Sequence, residues 1–124
     1  MRLLLDTHAF IWWSDADPRM SAAMRETVRE ADEVFVSIAS AWEIAIKVSL
    51  GKLVFDETFG AALTISHFEP LAIEVRHTEE IKTLPLHHRD PFDRMLVAQG
   101  KVEGLTLVTG DRRLEPYDIP FLWL

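Results

Sequence analysis

The sequence contains no cysteine, and none of its hydrophobic runs is long enough to cross a membrane. The lack of cysteine excludes a disulfide framework, a thiol nucleophile and a cysteine-ligated metal site. The N-terminal segment reaches Asp6 after only three leucines, so no signal-peptide core develops there. We therefore expect a soluble, cytoplasmic protein that makes no membrane contact.

Basic residues are also scarce, with 13 lysines and arginines against 20 acidic residues and a formal net charge of −7. Bulk charge therefore disfavours sequence-independent binding to a phosphate backbone, and a nucleic-acid partner would need another means of attachment. The length of 124 residues, without repeats or low-complexity tracts, predicts a single domain over residues 1–124.

Short apolar runs alternate with segments of helical periodicity along the whole chain. The apolar runs predict strands over 2–5, 34–36, 71–75, 105–109 and 119–124. The helical spacing predicts a helix after Asp6-Thr7 and helices over 20–31, 38–50, 55–68, 78–84 and 92–102. This alternation predicts an α/β fold in which helices flank a parallel sheet.

Four acidic residues lie where such a fold would bring them together. Asp6 ends the first predicted strand and Asp111 follows the strand over 105–109, while Glu43 and Asp93 lie early in helices. An open parallel sheet builds its site beyond the carboxyl ends of its strands, so we expect these acids to converge. Asp90 lies three residues before Asp93 and could share the same helix mouth.

Each acid also has a structural alternative, because acidic side chains commonly cap helices. Asp90 precedes Pro91, a favoured first helical residue, and Asp6 and Asp111 could likewise cap the segments that follow them. Ser40 and Glu43 fit the spacing of a capping box, and Glu43 could pair with Lys47 four residues on.

Capping alone does not require all four acids at one edge of the sheet. If they converge, neighbouring carboxylates raise one another's pKa values unless a cation neutralises them. Mg²⁺ and Mn²⁺ prefer oxygen ligands, and such a site suits phosphoryl chemistry without a protein nucleophile.

Four motifs carry a resemblance to a known family. They are LLLDTHAFIWW at 3–13, SIASAWEIAIK at 37–47, HHRDPFDRMLVAQ at 87–99 and LVTGDRRL at 107–114. With them the chain resembles the PIN-domain ribonucleases, and within these the VapC-type toxins of bacterial toxin–antitoxin pairs. The resemblance implies an α/β/α sandwich around a central parallel sheet of four to five short strands.

The resemblance also implies an activity and its partners. It implies Mg²⁺- or Mn²⁺-dependent endonucleolytic hydrolysis of RNA that leaves a 5′-phosphate and a 3′-hydroxyl, a homodimer, and inhibition by a cognate antitoxin protein. The matching positions for the catalytic metal ligands are Asp6, Glu43, Asp93 and Asp111. Asp90 matches an additional, supporting acid of the subgroup that carries HRDPFDR.

Other polar residues near the acids are candidates for supporting roles. Thr7 and Thr109 stand beside members of the quartet and could orient a carboxylate, although each could equally be a satisfied strand-end hydroxyl. Arg89, Arg94 and Arg112 are candidates for RNA phosphate contacts, against the alternative of solvated surface arginines.

The histidine pair and the tryptophans are not expected to take part in catalysis. His87 and His88 are consecutive, so both cannot easily face one point, and we predict no catalytic role for them. The four tryptophans are predicted to lie in the core or a subunit interface rather than to stack on bases. They are Trp12, Trp13, Trp42 and Trp123.

Two other functions remain open from the sequence. One is a Mg²⁺-dependent phosphohydrolase of small phosphate esters, against which stands the lack of a DxD motif at Asp6-Thr7-His8. The other is a non-catalytic interaction module whose acids only cap helices. The quartet carries more than half of the net charge, so RNA binding is expected to depend on divalent cations rather than a basic surface.

Overall fold

A computed structural model describes residues 1–124, and a five-stranded parallel sheet lies at its centre. The strands are β1 (Arg2–Leu5), β2 (Glu33–Ser37), β3 (Glu69–Leu71), β4 (Thr106–Thr109) and β5 (Phe121–Trp123). Their order across the sheet is β3-β2-β1-β4-β5, and every neighbouring pair is parallel. The predicted α/β fold with a parallel sheet is confirmed.

Six helices connect and cover the strands. They are α1 (Thr7–Ser14), α2 (Ala22–Glu30), α3 (Ile38–Ser49), α4 (Phe59–Ser66), α5 (Val75–Thr83) and α6 (Pro91–Glu103), with a 3-10 turn at Arg112–Leu114. None of these helices combines the length and the apolar character needed to cross a membrane.

Two helices begin more than two residues from their predicted starts, in each case because a cap fixes the first turn. The helix expected over 55–68 begins only at Phe59, since the Thr58 hydroxyl accepts a hydrogen bond from the Ala61 N–H. The strand expected over 71–75 lies instead at Glu69–Leu71, and the helix expected over 78–84 begins at Val75, because Glu74 and His77 form a reciprocal capping box.

Both faces of the sheet are buried under helices. Leu3 and Leu5 of β1 point into a core shared with α1, α2 and α4, while Leu4 points into a second core built largely with α6. All three leucines are fully buried, as expected for a central strand covered on both faces. Since α5 packs on α6, the architecture is the expected α/β/α sandwich.

The strand order determines where a crevice opens. The chain builds β1, β2 and β3 outward in one direction and then returns to place β4 and β5 on the other side of β1. The order therefore reverses between β1 and β4, and the carboxyl ends of these two strands border a crevice. Asp6 follows β1 at this point, and Asp111 lies two residues after β4.

Arg94 of α6 secures the loop that joins α5 to α6. Its Nη1 donates to the Pro85 carbonyl at 3.0 Å and to the Tyr117 hydroxyl at 3.1 Å, and its Nη2 donates to the Leu84 carbonyl at 3.3 Å. A guanidinium with these partners is not free to bind a phosphate. The predicted phosphate contact is therefore replaced by a structural role for Arg94.

We predict that Arg94→Met lowers the free energy of unfolding by about 2 kcal/mol, because the loop carbonyls and the Tyr117 hydroxyl lose a charged donor. Arg89→Met is the matched control, since Arg89 is exposed on the same loop and should change stability by no more than about 0.5 kcal/mol. Urea denaturation of the metal-free protein measures both. Equal stability of the two variants would contradict the structural role.

Candidate active site

The predicted acids converge on one cavity at the carboxyl edge of the sheet. The cavity has a volume of about 150 Å³, and no hydrophobic residue lines it. Its lining consists of Asp6, Thr7, His8, Glu43, Lys47, Asp90, Asp93, Asp111 and Arg113. All five acids singled out in the sequence are therefore brought together.

Asp6 and Asp111 reach the cavity from the ends of adjacent strands. Asp6 also caps α1, because its Oδ1 accepts from the Ala9 N–H at 2.8 Å. Asp111 caps the 3-10 turn by accepting from the Arg113 N–H at 3.1 Å. Capping and a place in the site are thus compatible, since a carboxylate accepts several hydrogen bonds.

Glu43 reaches the cavity from the second turn of α3, with its side chain 11% exposed. The capping-box alternative is wrong, because Ser37, and not Ser40, caps this helix. Glu43 Oε1 accepts instead from the Thr7 hydroxyl at 2.7 Å, and its Oε2 lies 2.9 Å from Lys47 Nζ. The pairing expected between Glu43 and Lys47 is confirmed.

Asp90 and Asp93 stand at the start of α6 in different roles. Asp90 Oδ1 accepts from the N–H groups of Phe92 at 2.8 Å and of Asp93 at 3.0 Å, so Asp90 is the helix cap. Both acids line the cavity, but the Asp93 carboxylate is not used as a cap, and its Oδ2 lies 2.9 Å from His88 Nε2. Asp90 thus fixes the first turn of α6, from which the Asp93 side chain extends.

Two threonine hydroxyls connect the acids to one another. The Thr109 hydroxyl bonds the Asp6 carboxylate and also accepts from the Asp111 N–H at 3.1 Å. The Thr7 hydroxyl bonds Glu43, and its oxygen lies 2.9 Å from the Ser40 hydroxyl. Both threonines are buried, so they hold the carboxylates in fixed orientations.

Burial perturbs the acids more strongly than their mutual repulsion does. Desolvation raises the pKa of Asp6 to about 6 against hydrogen bonds from Thr109 and Ala9, and Glu43 and Asp111 raise it further by charge repulsion. Desolvation likewise raises the pKa of Asp93 to about 6. The Arg113 guanidinium instead lowers the pKa of Asp111. Among the three aspartates of the quartet, the two without an arginine partner, Asp6 and Asp93, are therefore the ones with raised pKa values.

Arg113 is the arginine of the site, and sequence reasoning missed it in favour of its neighbour. Its Nη2 lies 2.7 Å from Asp111 Oδ2 and its Nε 2.9 Å from Oδ1. The Arg112 guanidinium lies 4.3 Å from the centre of the Trp123 ring instead, and Arg89 does not line the cavity. The two arginines are adjacent in sequence, so only the geometry of the 3-10 turn distinguishes them.

His88 was excluded from the site by sequence reasoning, yet the structure places it there. Its ring is buried, with Nε2 between Asp93 and Asp111, while His87 is exposed and packs edge-on against Tyr117. The two consecutive histidines therefore face different ways, as expected, but one of them reaches the acids.

Two of the four tryptophans pack against the core that Leu3 and Leu5 enter, and one of the others is largely exposed. Trp12 and Trp13 pack against the core, whereas Trp42 is 60% exposed and its ring meets that of Phe92 at 5.2 Å. A core position is therefore wrong for Trp42.

The donor set of the cavity fits a hard divalent cation. The quartet carboxylates face a space without apolar lining, and burial raises the pKa values of Asp6 and Asp93, so desolvation disfavours their ionised forms. Mg²⁺ and Mn²⁺ bind carboxylate oxygens and would supply the missing positive charge. Asp6, Glu43, Asp93 and Asp111 are the residues that could hold such an ion.

We predict that Asp6→Asn stabilises the metal-free protein by about 1–3 kcal/mol at pH 8. Burial raises the folded-state pKa of Asp6, so the folded protein loses stability as pH rises from the unfolded-state pKa of about 3.9 to the folded-state pKa of about 6. Asparagine removes this charge and keeps an oxygen for the Ala9 N–H.

Thermal unfolding in EDTA measures the effect of Asp6→Asn, and the same comparison at pH 4 is its control. Most of the stabilisation should disappear at pH 4, because the wild-type carboxyl is then protonated in the folded protein. A variant that is less stable than wild type at pH 8 would contradict the buried, uncompensated charge.

Comparison with known proteins connects this geometry to a family. The PIN domain model matches residues 3–120. Ribonuclease VapC22 of Mycobacterium tuberculosis is 32% identical over 126 residues, which cover 95% of this chain and 93% of that protein.

Solved structures share the fold at low sequence identity. VapBC2 from Rickettsia felis, bound to a DNA fragment from its promoter, matches with a TM-score of 0.75 at 16% identity over 98% of both chains. A toxin–antitoxin complex from Klebsiella pneumoniae matches with a TM-score of 0.66 at 15% identity, over 94% of this chain and 92% of that one. The sequence match along almost the whole chain, together with this shared fold, shows that the chain belongs to the PIN-domain family.

Proposed function

We propose that this protein is a Mg²⁺- or Mn²⁺-dependent endoribonuclease that acts as the toxin of a toxin–antitoxin pair. The observation that carries the proposal is the convergence of Asp6, Glu43, Asp93 and Asp111 on one polar cavity at the carboxyl edge of the sheet. The relationship to Ribonuclease VapC22 supports RNA as the substrate. The match to the toxin–antitoxin complex supports the biological role.

The quartet would hold the metal, and the surrounding side chains would keep the quartet in place. When bound, the ion supplies an activated water nucleophile and neutralises charge on the scissile phosphate and leaving oxygen. Thr7 orients Glu43, and Thr109 orients Asp6. Asp90 supports the start of α6, so that Asp93 is presented to the cavity.

Lys47 and Arg113 are the cations best placed to contact the RNA phosphate. Both line the cavity, and each is paired with a quartet member, Glu43 or Asp111. If a metal ion occupied these carboxylates, Lys47 and Arg113 would be held less tightly, and their charge could then act on the substrate. Arg113 presents a planar fork suited to two phosphate oxygens, so it takes the role expected of Arg112.

The remaining parts of the proposal concern assembly and location. We propose a single PIN domain over residues 1–124, a homodimer, a cognate antitoxin protein as the inhibitory partner, and action in the cytoplasm. The exposed Trp42 next to Phe92 is a surface that a second subunit could cover. The products expected are RNA fragments with a 5′-phosphate and a 3′-hydroxyl.

We predict that Asp93→Asn lowers RNA cleavage more than about 100-fold, because the metal loses a charged ligand and with it several kcal/mol of stabilisation. Asp118→Asn is the matched control, since Asp118 is exposed and lies outside the cavity. Cleavage of a labelled single-stranded RNA with Mn²⁺ is the assay, and circular dichroism verifies folding of both variants.

Three results would contradict the proposed activity. Undiminished cleavage by folded Asp93→Asn would exclude Asp93 from the mechanism. Turnover of a phosphomonoester without turnover of RNA would favour the phosphohydrolase. Absence of saturable Mn²⁺ binding in calorimetry would indicate that the acids only cap helices.

A further inference from the structure

We propose that His88 is a positioning residue of the active site, which holds the Asp93 and Asp111 carboxylates side by side for the metal. The inference deepens the proposed function and rests on it. His88 lies beside the acidic quartet, and the sequence around it does not indicate this role.

His88 joins two acids that come from different parts of the fold. Its Nε2 lies 2.9 Å from Asp93 Oδ2 on α6 and 3.5 Å from Asp111 Oδ2 after β4. The residue is 9% exposed, so water competes little for these contacts. The imidazole thus spans the gap between the start of a helix and the end of a strand.

The backbone of His88 is itself held in place. Its N–H donates to the Tyr117 hydroxyl at 3.2 Å, and that hydroxyl accepts from Arg94 Nη1 at 3.1 Å. Tyr117 is buried, and the His87 ring packs edge-on against it at 4.9 Å. The backbone contacts of the loop therefore fix where the His88 ring lies.

The hydrogen-bond chemistry distinguishes positioning from metal ligation. Ionised carboxylates only accept hydrogen bonds, so His88 Nε2 must carry the proton that is shared with Asp93 and Asp111. A protonated ring nitrogen has no lone pair to give to a metal ion. In this arrangement His88 acts on the metal through the carboxylates that it orients.

The two acids depend on His88 to different degrees. Asp111 has a second, two-point contact with Arg113 that fixes it independently. For the Asp93 carboxylate, His88 is the side-chain donor within hydrogen-bond distance. Loss of His88 should therefore act mainly by freeing Asp93 and weakening its contribution to the metal site.

The test uses calorimetric titration of Mn²⁺ and of Mg²⁺ into four variants of the full chain. His88→Ala should weaken both affinities by a similar factor of about 10–100, the usual effect of losing a partner of a metal ligand. His88→Gln should restore most of the affinity, because its amide N–H reaches about as far as Nε2, whereas His88→Asn is too short. Arg89→Ala is the neighbouring control, because Arg89 is exposed and lies outside the cavity, and it should bind both ions as wild type does.

RNA cleavage at rising Mn²⁺ concentration gives a second measurement. His88→Ala should need about 10–100 times more Mn²⁺ for half-maximal activity and approach the wild-type rate at saturation. A purely structural defect would lower the saturated rate without changing the metal requirement. If His88→Ala does not fold, the comparison of Gln with Asn decides the question alone.

The outcomes separate this inference from the proposed function. Wild-type metal affinity in His88→Ala, or equal affinities of the Gln and Asn variants, would overturn the positioning role. The proposed metal site would still stand in that case if Asp6→Asn abolished metal binding. Loss of Mn²⁺ affinity alone, with Mg²⁺ affinity unchanged, would make His88 a direct ligand and also overturn it. Absence of metal binding by the wild type would remove the proposed metal site and this inference together.

Discussion

Negative charge buried at the carboxyl edge of the sheet is the constraint on which the rest of the structure depends. Asp6 and Asp93 both have pKa values of about 6, so each ionised carboxylate opposes folding by up to about 3 kcal/mol at neutral pH. A domain of this kind has a net stability of roughly 5–15 kcal/mol. The two helix-covered cores must therefore offset an active site that destabilises the metal-free fold.

Counter-charges within the cavity are unevenly distributed, and this asymmetry indicates which acids need an external cation. Glu43 is paired with Lys47, and Asp111 with Arg113. Asp6 receives hydrogen bonds only from a hydroxyl and a backbone N–H. A divalent ion would therefore compensate Asp6 most, because that carboxylate is buried with the fewest opposing charges.

Much of the fold was accessible from sequence because it rests on local patterns. The all-leucine run of β1 is typical of a strand that is buried on both faces, and strand-helix alternation then requires parallel pairing. Helix starts were less predictable, since Thr58 and Glu74 act as caps only once the flanking chain is placed. Those starts depend on single hydrogen bonds that hydrophobic periodicity does not record.

The site was predictable to the extent that strand ends define it. Asp6 and Asp111 follow from the carboxyl-edge rule, and Asp93 from its position at the start of a helix. The role of Arg94 could not be assigned, because it depends on carbonyl groups about ten residues away in the sequence. The role of Arg113 depends on the 3-10 turn, which directs Arg113 rather than Arg112 toward Asp111. His88 belongs to the same class, since it meets Asp111 across 23 positions of chain.

The net charge of −7 sums over the whole molecule, whereas an RNA phosphate in the cavity interacts mainly with nearby charges. Charges separated by more than about 8 Å are largely screened at physiological salt, so an RNA phosphate responds mainly to the charges that line the cavity. There the acids stand beside Lys47 and Arg113, and a divalent ion would shift this balance toward positive charge. An acidic protein can therefore present an attractive site to RNA, because the same acids that repel phosphate recruit the ion that binds it.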